Sequence, residues 1–124
     1  MILIVSSKRS TIMRIDFDYS GWIEIPHMNG GTGSVFASMT MTENTRIILT
    51  RIPPGSSIGM HTQDSGDDVN YVLEGKGKAI CDGKEEMLEP GICHVCPKGS
   101  EHSIINDGVM DLILFSTVPI THST

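Results

Sequence analysis

No stretch of this 124-residue chain approaches the roughly 20 consecutive apolar residues that a membrane-spanning helix requires. Basic residues are sparse as well. Nine lysines and arginines stand against 15 aspartates and glutamates, a formal net charge of −6, and they are scattered rather than gathered in a stripe. The footprint of a phosphate-backbone binder is missing, so neither nucleic acid nor membrane is an expected partner. Cysteine is limited to Cys81, Cys93 and Cys96. An odd number with no secretion signal points to reduced thiols and a cytoplasmic location. The opening MILIVSS is apolar, but it runs into Lys8, Arg9 and Ser10 rather than a small-residue cleavage site, and reads poorly as a signal peptide. Cys93 and Cys96 form a C-x-x-C, yet no second pair completes a zinc knuckle, and both read as small strand residues. A chain of this length hides roughly 65–70% of its unfolded surface, so a core can form without disulfides.

Helix signals are lacking too. No long segment keeps a 3.6-residue apolar period, and glycine or proline interrupts the chain at short intervals, which predicts an all-β protein of one domain. Candidate strands are Ser34 to Met41, Thr45 to Ile52, Val69 to Gly75, Gly77 to Gly83, Lys84 to Pro90, Cys93 to Pro97, His102 to Asn106 and Asp111 to Val118. Asp82-Gly83 and Asp107-Gly108 are the strongest hairpin signals, because both residue types tolerate positive φ. Many short strands with such turns predict a sandwich or closed barrel. Residues 1–29 differ in character and are expected to form an edge strand or dimer arm, with the barrel over 30–119 and a tail over 120–124. Asn29 to Gly33, NGGTG, lacks the following helix that a phosphate loop needs, and reads as a flexible entry turn.

Two patterns stand out. From Gly55 the chain reads G-x5-H-x-Q-x4-D-x6-G, through His61, Gln63, Asp68 and Gly75; from Gly91 it reads G-x5-P-x-G-x2-H-x3-N, through Pro97, Gly99, His102 and Asn106. The pair resembles the two signature motifs of the cupin family, most closely small single-domain bacterial cupins. The second motif matches throughout. The first departs twice, with Gln63 where a second histidine usually stands and Asp68 where glutamate does. The resemblance implies a cupin jelly-roll β-barrel (a double-stranded β-helix) and a divalent metal ion, and it spans a family of isomerases, dioxygenases, decarboxylases, lyases and non-enzymatic binders.

The residues carry their own logic. Positions 61 and 63 lie two apart on an extended segment and face one side, as two ligands to one ion must. Asp68 shares a face with Asn70 and Val72, and Asp67 shares the other with Val69, Tyr71 and Leu73, so only one of the two aspartates points inward; spacing to Gly75 selects Asp68. His61, Gln63, Asp68 and His102 are therefore the candidate metal ligands, for Fe, Mn, Ni or Zn. Against this stand blander roles: cavity-lining polar groups for the histidines and Gln63, a solvated loop tip for the DSGDD run. His94, Cys96 and Asn70 are candidate pocket residues. A buried His94 needs a partner; it would replace the imidazole missing at Gln63, bond to a ligand residue, or carry protons as the catalytic group. His27 and His122 read as surface histidines, and Asn106 as a turn stabiliser. The expected protein is a small cytoplasmic cupin and homodimer that binds a divalent ion and a small polar or anionic molecule. Its chemistry would be isomerase, lyase or oxygenase, and its rival reading is a non-catalytic sensor with a degenerate metal site.

Overall fold

The computed structural model describes residues 12–18 and 21–121, and among them the regular secondary structure is all strand apart from one short 3-10 turn. The strands are β1 (Ile23–Pro26), β2 (Ser34–Met41), β3 (Thr45–Ile52), β4 (Ser57–Thr62), β5 (Asp68–Glu74), β6 (Gly77–Cys81), β7 (Lys84–Leu88), β8 (Cys93–Cys96), β9 (Glu101–Ile105) and β10 (Leu112–Pro119); the turn, Met28–Gly30, follows β1. They form a six-stranded sheet in the order β1-β2-β3-β10-β5-β8 and a four-stranded sheet in the order β4-β9-β6-β7. Every strand pair is antiparallel. All eight candidate strands are present to within a few residues. β4 is the addition, and β1 lies within the segment expected to form an edge strand or dimer arm.

β1 is the first strand of its sheet and pairs with β2, so residues 23–26 form an edge strand, one of the two forms expected of residues 1–29. The part of the expected arm that lies in residues 1–11, like His122 in the expected tail, falls outside the described residues.

The two aspartate-glycine turns behave differently. Asp82 and Gly83, at φ 49° and 79°, join β6 to β7 in the expected hairpin. Asp107-Gly108 makes no hairpin, because β9 and β10 lie in different sheets. The Asn106 side chain shapes that crossing instead. Its Nδ2 donates to the carbonyls of Ile52 at 2.7 Å and Met110 at 2.8 Å, and its Oδ1 accepts from the Gly108 N–H at 2.9 Å.

Inward positions change character along the strands, and that change locates the site. Val72 on β5, Leu112 and Leu114 on β10 and Ile52 on β3 join Val35, Ala79, Leu88 and Ile104 in the buried core. Burying each of the valine, leucine and isoleucine side chains contributes about 1.5–3 kcal/mol. Towards the other end the same faces present Asp68 and Asn70, Ser116 and Val118, and Ile48 and Arg46, which line a cavity of about 450 Å³. Gly75, at φ 83°, holds β5 against the crossing; a Cβ there would lie 2.1 Å from the Asp111 carbonyl oxygen, so glycine is required.

Candidate metal centre

His61 and His102 stand opposite each other on neighbouring strands β4 and β9. Strand parity alone would not bring them together. Ile58 and His61 both line the cavity, although three positions apart on one strand they should face opposite sides. The β4–β9 register shifts between Ile58 and His61, and this bulge adds the residue that turns His61 inward and Met60 out. Asp68 opens β5 and faces the same cavity, and Asp67, whose side chain instead accepts from the Lys98 N–H at 3.0 Å, turns away.

His61, Asp68 and His102 each bring a donor atom to one point, all within 4.8 Å of one another. His102 Nε2 lies 3.2 Å from His61 Nε2 and 3.2 Å from Asp68 Oδ2. Donors bound to one ion at about 2.1 Å stand roughly 3.0–3.4 Å apart, so these spacings fit a shared cation.

Hydrogen bonds behind the rings decide which nitrogens face the centre. His61 Nδ1 is 2.8 Å from the Gly59 carbonyl oxygen. A carbonyl only accepts, so Nδ1 carries the proton and Nε2 presents a lone pair. Behind His102, the Glu86 carboxylate accepts from His94 Nδ1 at 2.9 Å, and His94 Nε2 lies 2.9 Å from His102 Nδ1. With neutral rings only one proton pattern satisfies this chain: His94 donates to Glu86, His102 donates to His94, and His102 Nε2 is left bare. Two imidazole lone pairs and a carboxylate oxygen thus converge. Such an array repels itself unless a positive centre, a metal cation or a shared proton, sits among them.

The remaining candidates fall into place around this centre. Gln63 is 8% exposed and lines the cavity, with Nε2 donating to Ser65 Oγ at 3.2 Å. Asn70 also lines the cavity, and its Oδ1 accepts from Ser116 Oγ at 2.6 Å. His94 and Cys96 do not line it. Both are buried behind the centre, because β8 is the edge strand beyond β5, so neither offers surface to a bound molecule. His94 instead bonds the ring of His102. Burial, reinforced by nearby Cys81, pushes the Cys96 thiol up to about 12, which makes it inert. Glu86 escaped the sequence reading. It sits on edge strand β7 and reaches His94 across the gap between the sheets, a pairing that no local spacing reveals. Arg46 also escaped it, and lines the cavity.

An antiparallel two-sheet barrel with a histidine-carboxylate centre at one end is the cupin architecture, and the comparisons agree. The model of the family described as "Cupin domain" matches residues 48–118, and the chain belongs to that family. It is 30% identical over 100 residues to an oxalate-binding protein of Thermotoga maritima, covering 76% of this chain and 83% of that one. A solved structure from Thermotoga maritima described as a predicted oxalate decarboxylase superposes with a TM-score of 0.81 at 25% identity, covering 87% of this chain and 99% of its own. The cupin domain of Schizosaccharomyces pombe Cnp3 shares the fold, with a TM-score of 0.71 at 14% identity over 87% of this chain and 74% of that one. No helix among the described residues is long and apolar enough to cross a membrane.

Proposed function

We propose that this chain is a metal-dependent cupin that binds a small carboxylate through a divalent cation held by His61, His102 and Asp68, with Gln63 as a weak fourth contact. The observation that carries the reading is the ring geometry at the centre: with neutral rings both Nδ1 atoms donate to neighbouring acceptors, which leaves both Nε2 atoms facing the Asp68 oxygen as bare donors. A two-nitrogen, one-carboxylate set suits Fe(II), Mn(II), Ni(II) or Zn(II). When bound, the ion supplies Lewis-acid chemistry and neutralises the charge of the ligand's oxygens. The oxalate-binding relative supports a carboxylate as the ligand.

The chain's own contribution is binding and orientation. Glu86 and His94 fix the ring of His102, and the Gly59 carbonyl fixes that of His61. Among the described residues, no carboxyl, thiol or imidazole lines the cavity apart from the three donors. Turnover, as a lyase, isomerase or oxygenase, would therefore depend wholly on the ion, and binding alone is the reading the geometry supports best.

Elemental analysis of protein purified without a polyhistidine tag tests this, followed by titration of oxalate into protein loaded with each of the four metals. One equivalent of metal and metal-dependent oxalate binding are expected. Turnover that scales with one metal would extend the reading to an enzyme. Protein that takes up no metal from any of the four would overturn it.

A further inference from the structure

Arg46 and Arg51 lie five positions apart on β3 and so face opposite sides of the sheet. Arg51 points outward into a set of partners: the Asp111 carboxylate at 3.7 Å, the Phe36 ring at 4.2 Å and the Trp22 ring at 5.2 Å. Arg46 faces inward and lines the cavity. Among the described residues its guanidinium has neither an ion pair nor a hydrogen bond. A half-buried cation without a partner is costly to keep inside a barrel, and a ligand anion would complete it.

Its position relative to the metal centre is set by the sheet. Arg46 pairs with Val118 on β10, and the β10–β5 register, through Thr117 and Val69, places Val118 beside Asp68. Arg46 and Asp68 therefore occupy the same level of the barrel, two strand spacings apart, about 10 Å. The wall around them is mainly apolar, with Val118, Ile48, Met39, Ile25 and Ile58, and Ser116 and Asn70 are the polar pair at the next level. The cavity, about 450 Å³, is in the size range of sites that enclose a drug-sized ligand, roughly 300–1,000 Å³. Oxalate is two joined carboxyl groups with no apolar carbon. It would satisfy the metal centre and leave both the apolar wall and Arg46 unused.

We propose that Arg46 is a second anion anchor, and that the ligand class of this chain is an elongated dicarboxylate: one carboxylate at the metal centre, a hydrocarbon spacer along the wall, and the distal carboxylate on the Arg46 guanidinium. This rests on the metal-carboxylate reading above and narrows its ligand. A planar guanidinium takes a carboxylate through two parallel hydrogen bonds, and each methylene laid against the wall should strengthen binding about threefold to fourfold.

The test is calorimetric titration of metal-loaded protein with the straight-chain diacids from oxalate to suberate, and with monoacids of matching length. Affinity is expected to rise from oxalate to an optimum at a longer diacid, which should bind at least tenfold more tightly than its matched monoacid. Arg46→Gln should remove that tenfold preference while leaving oxalate affinity and metal content unchanged, and Arg46→Lys should retain part of it. The comparison of diacid with monoacid is made on the natural chain, so it stands even if a variant fails to fold. Metal content is measured on the same samples. Loaded protein that prefers oxalate, or that does not distinguish diacids from monoacids, overturns the second anchor alone; protein that holds no metal overturns the metal reading and this inference with it.

Discussion

Replacing Gln63 with histidine asks whether the centre is where the proton pattern puts it. Gln63 lines the cavity two positions beyond His61, so Gln63→His would add an imidazole beside three donors already gathered. Metal affinity, read by competition with a chelator, should rise tenfold or more, about 1.4 kcal/mol. His61→Ala and His102→Ala should each abolish binding, whereas His27→Ala should leave it unchanged, since His27 lies in an exposed turn bonded to the Gly31 carbonyl. Unchanged affinity in Gln63→His would move the ion elsewhere. Glu86→Gln makes a subtler demand. The carboxylate that fixes the His94 proton is lost, and an amide can turn its own N–H toward His94, which releases the tautomer of His102. Affinity should fall about 10- to 100-fold, as for other groups that orient a metal-binding histidine, with little change in thermal midpoint because Glu86 is half-exposed on an edge strand. These two residues also mark what the sequence discloses. The place of Gln63 at the cavity was legible because it interrupts a spaced motif, and that of Asp68 because parity and the distance to Gly75 separate it from Asp67. Glu86 and Arg46 were not. Their partners are a histidine on another sheet and a ligand, and neither leaves a mark on local spacing.

At the level of the element, β4 decides whether the motif becomes a site. The extended reading of positions 61 and 63 is right about their shared side but silent about which side that is. The answer comes from the bulge after Ile58, which depends on pairing with β9 and so on a strand 40-odd positions away. Gly59 sits in this bulge, packed against the turn after β1: a Cβ there would lie 2.2 Å from the Asn29 carbonyl oxygen and 2.7 Å from the Gly31 nitrogen, both backbone. Backbone on both sides cannot rotate away as a side chain can. Gly59→Ala should therefore push β4 off its register, costing about 1–3 kcal/mol in denaturant unfolding. Because the Gly59 carbonyl also accepts from His61, metal affinity should fall in the same variant. A stable Gly59→Ala protein with full metal affinity would show that the bulge is not what aims His61. The contrasting fates of Asp82-Gly83 and Asp107-Gly108 teach the same lesson. Local turn chemistry was sufficient where the strands on either side pair with each other, and failed where the chain crosses between sheets.

For the whole molecule, titration and assembly give two further expectations. Cys96 has its thiol pushed from the ordinary 9.0 to about 12 by burial. The folded chain therefore keeps a proton that the unfolded chain releases, so stability is complete below about pH 9 and declines as pH rises from there through about 12. Urea unfolding across that range should show a falling free energy, and Cys96→Ala should flatten the slope. Cys93 lies on the opposite, exposed face of β8, so iodoacetamide should label it and spare Cys96 at neutral pH. Reductant should leave the thermal midpoint unchanged, because all three cysteines are free and Cys93 and Cys96 cannot meet across their own strand.

Assembly follows from what the outer face of the six-stranded sheet leaves uncovered. Part of that face is closed from within the chain, where Phe17 packs edge-on against Phe115 with ring centroids 6.3 Å apart. Beyond it Tyr71 is 42% exposed and Leu73 38% on β5, and Val95 is 43% exposed on β8. These three point outward together, since Val69 pairs with Val95 and Tyr71 with Cys93. β8 is also the last strand of its sheet, so an apolar strip runs along an open edge, the place where sheets recruit further partners. A second copy of the chain brings the same strip to the same edge and can cover it symmetrically. The expected state is a homodimer, read by light scattering at micromolar concentration. Replacing Tyr71 and Val95 together by glutamate should shift it to monomer without loss of metal affinity, because both side chains point away from the cavity. A natural chain that scatters as a monomer would mean that this strip is tolerated bare.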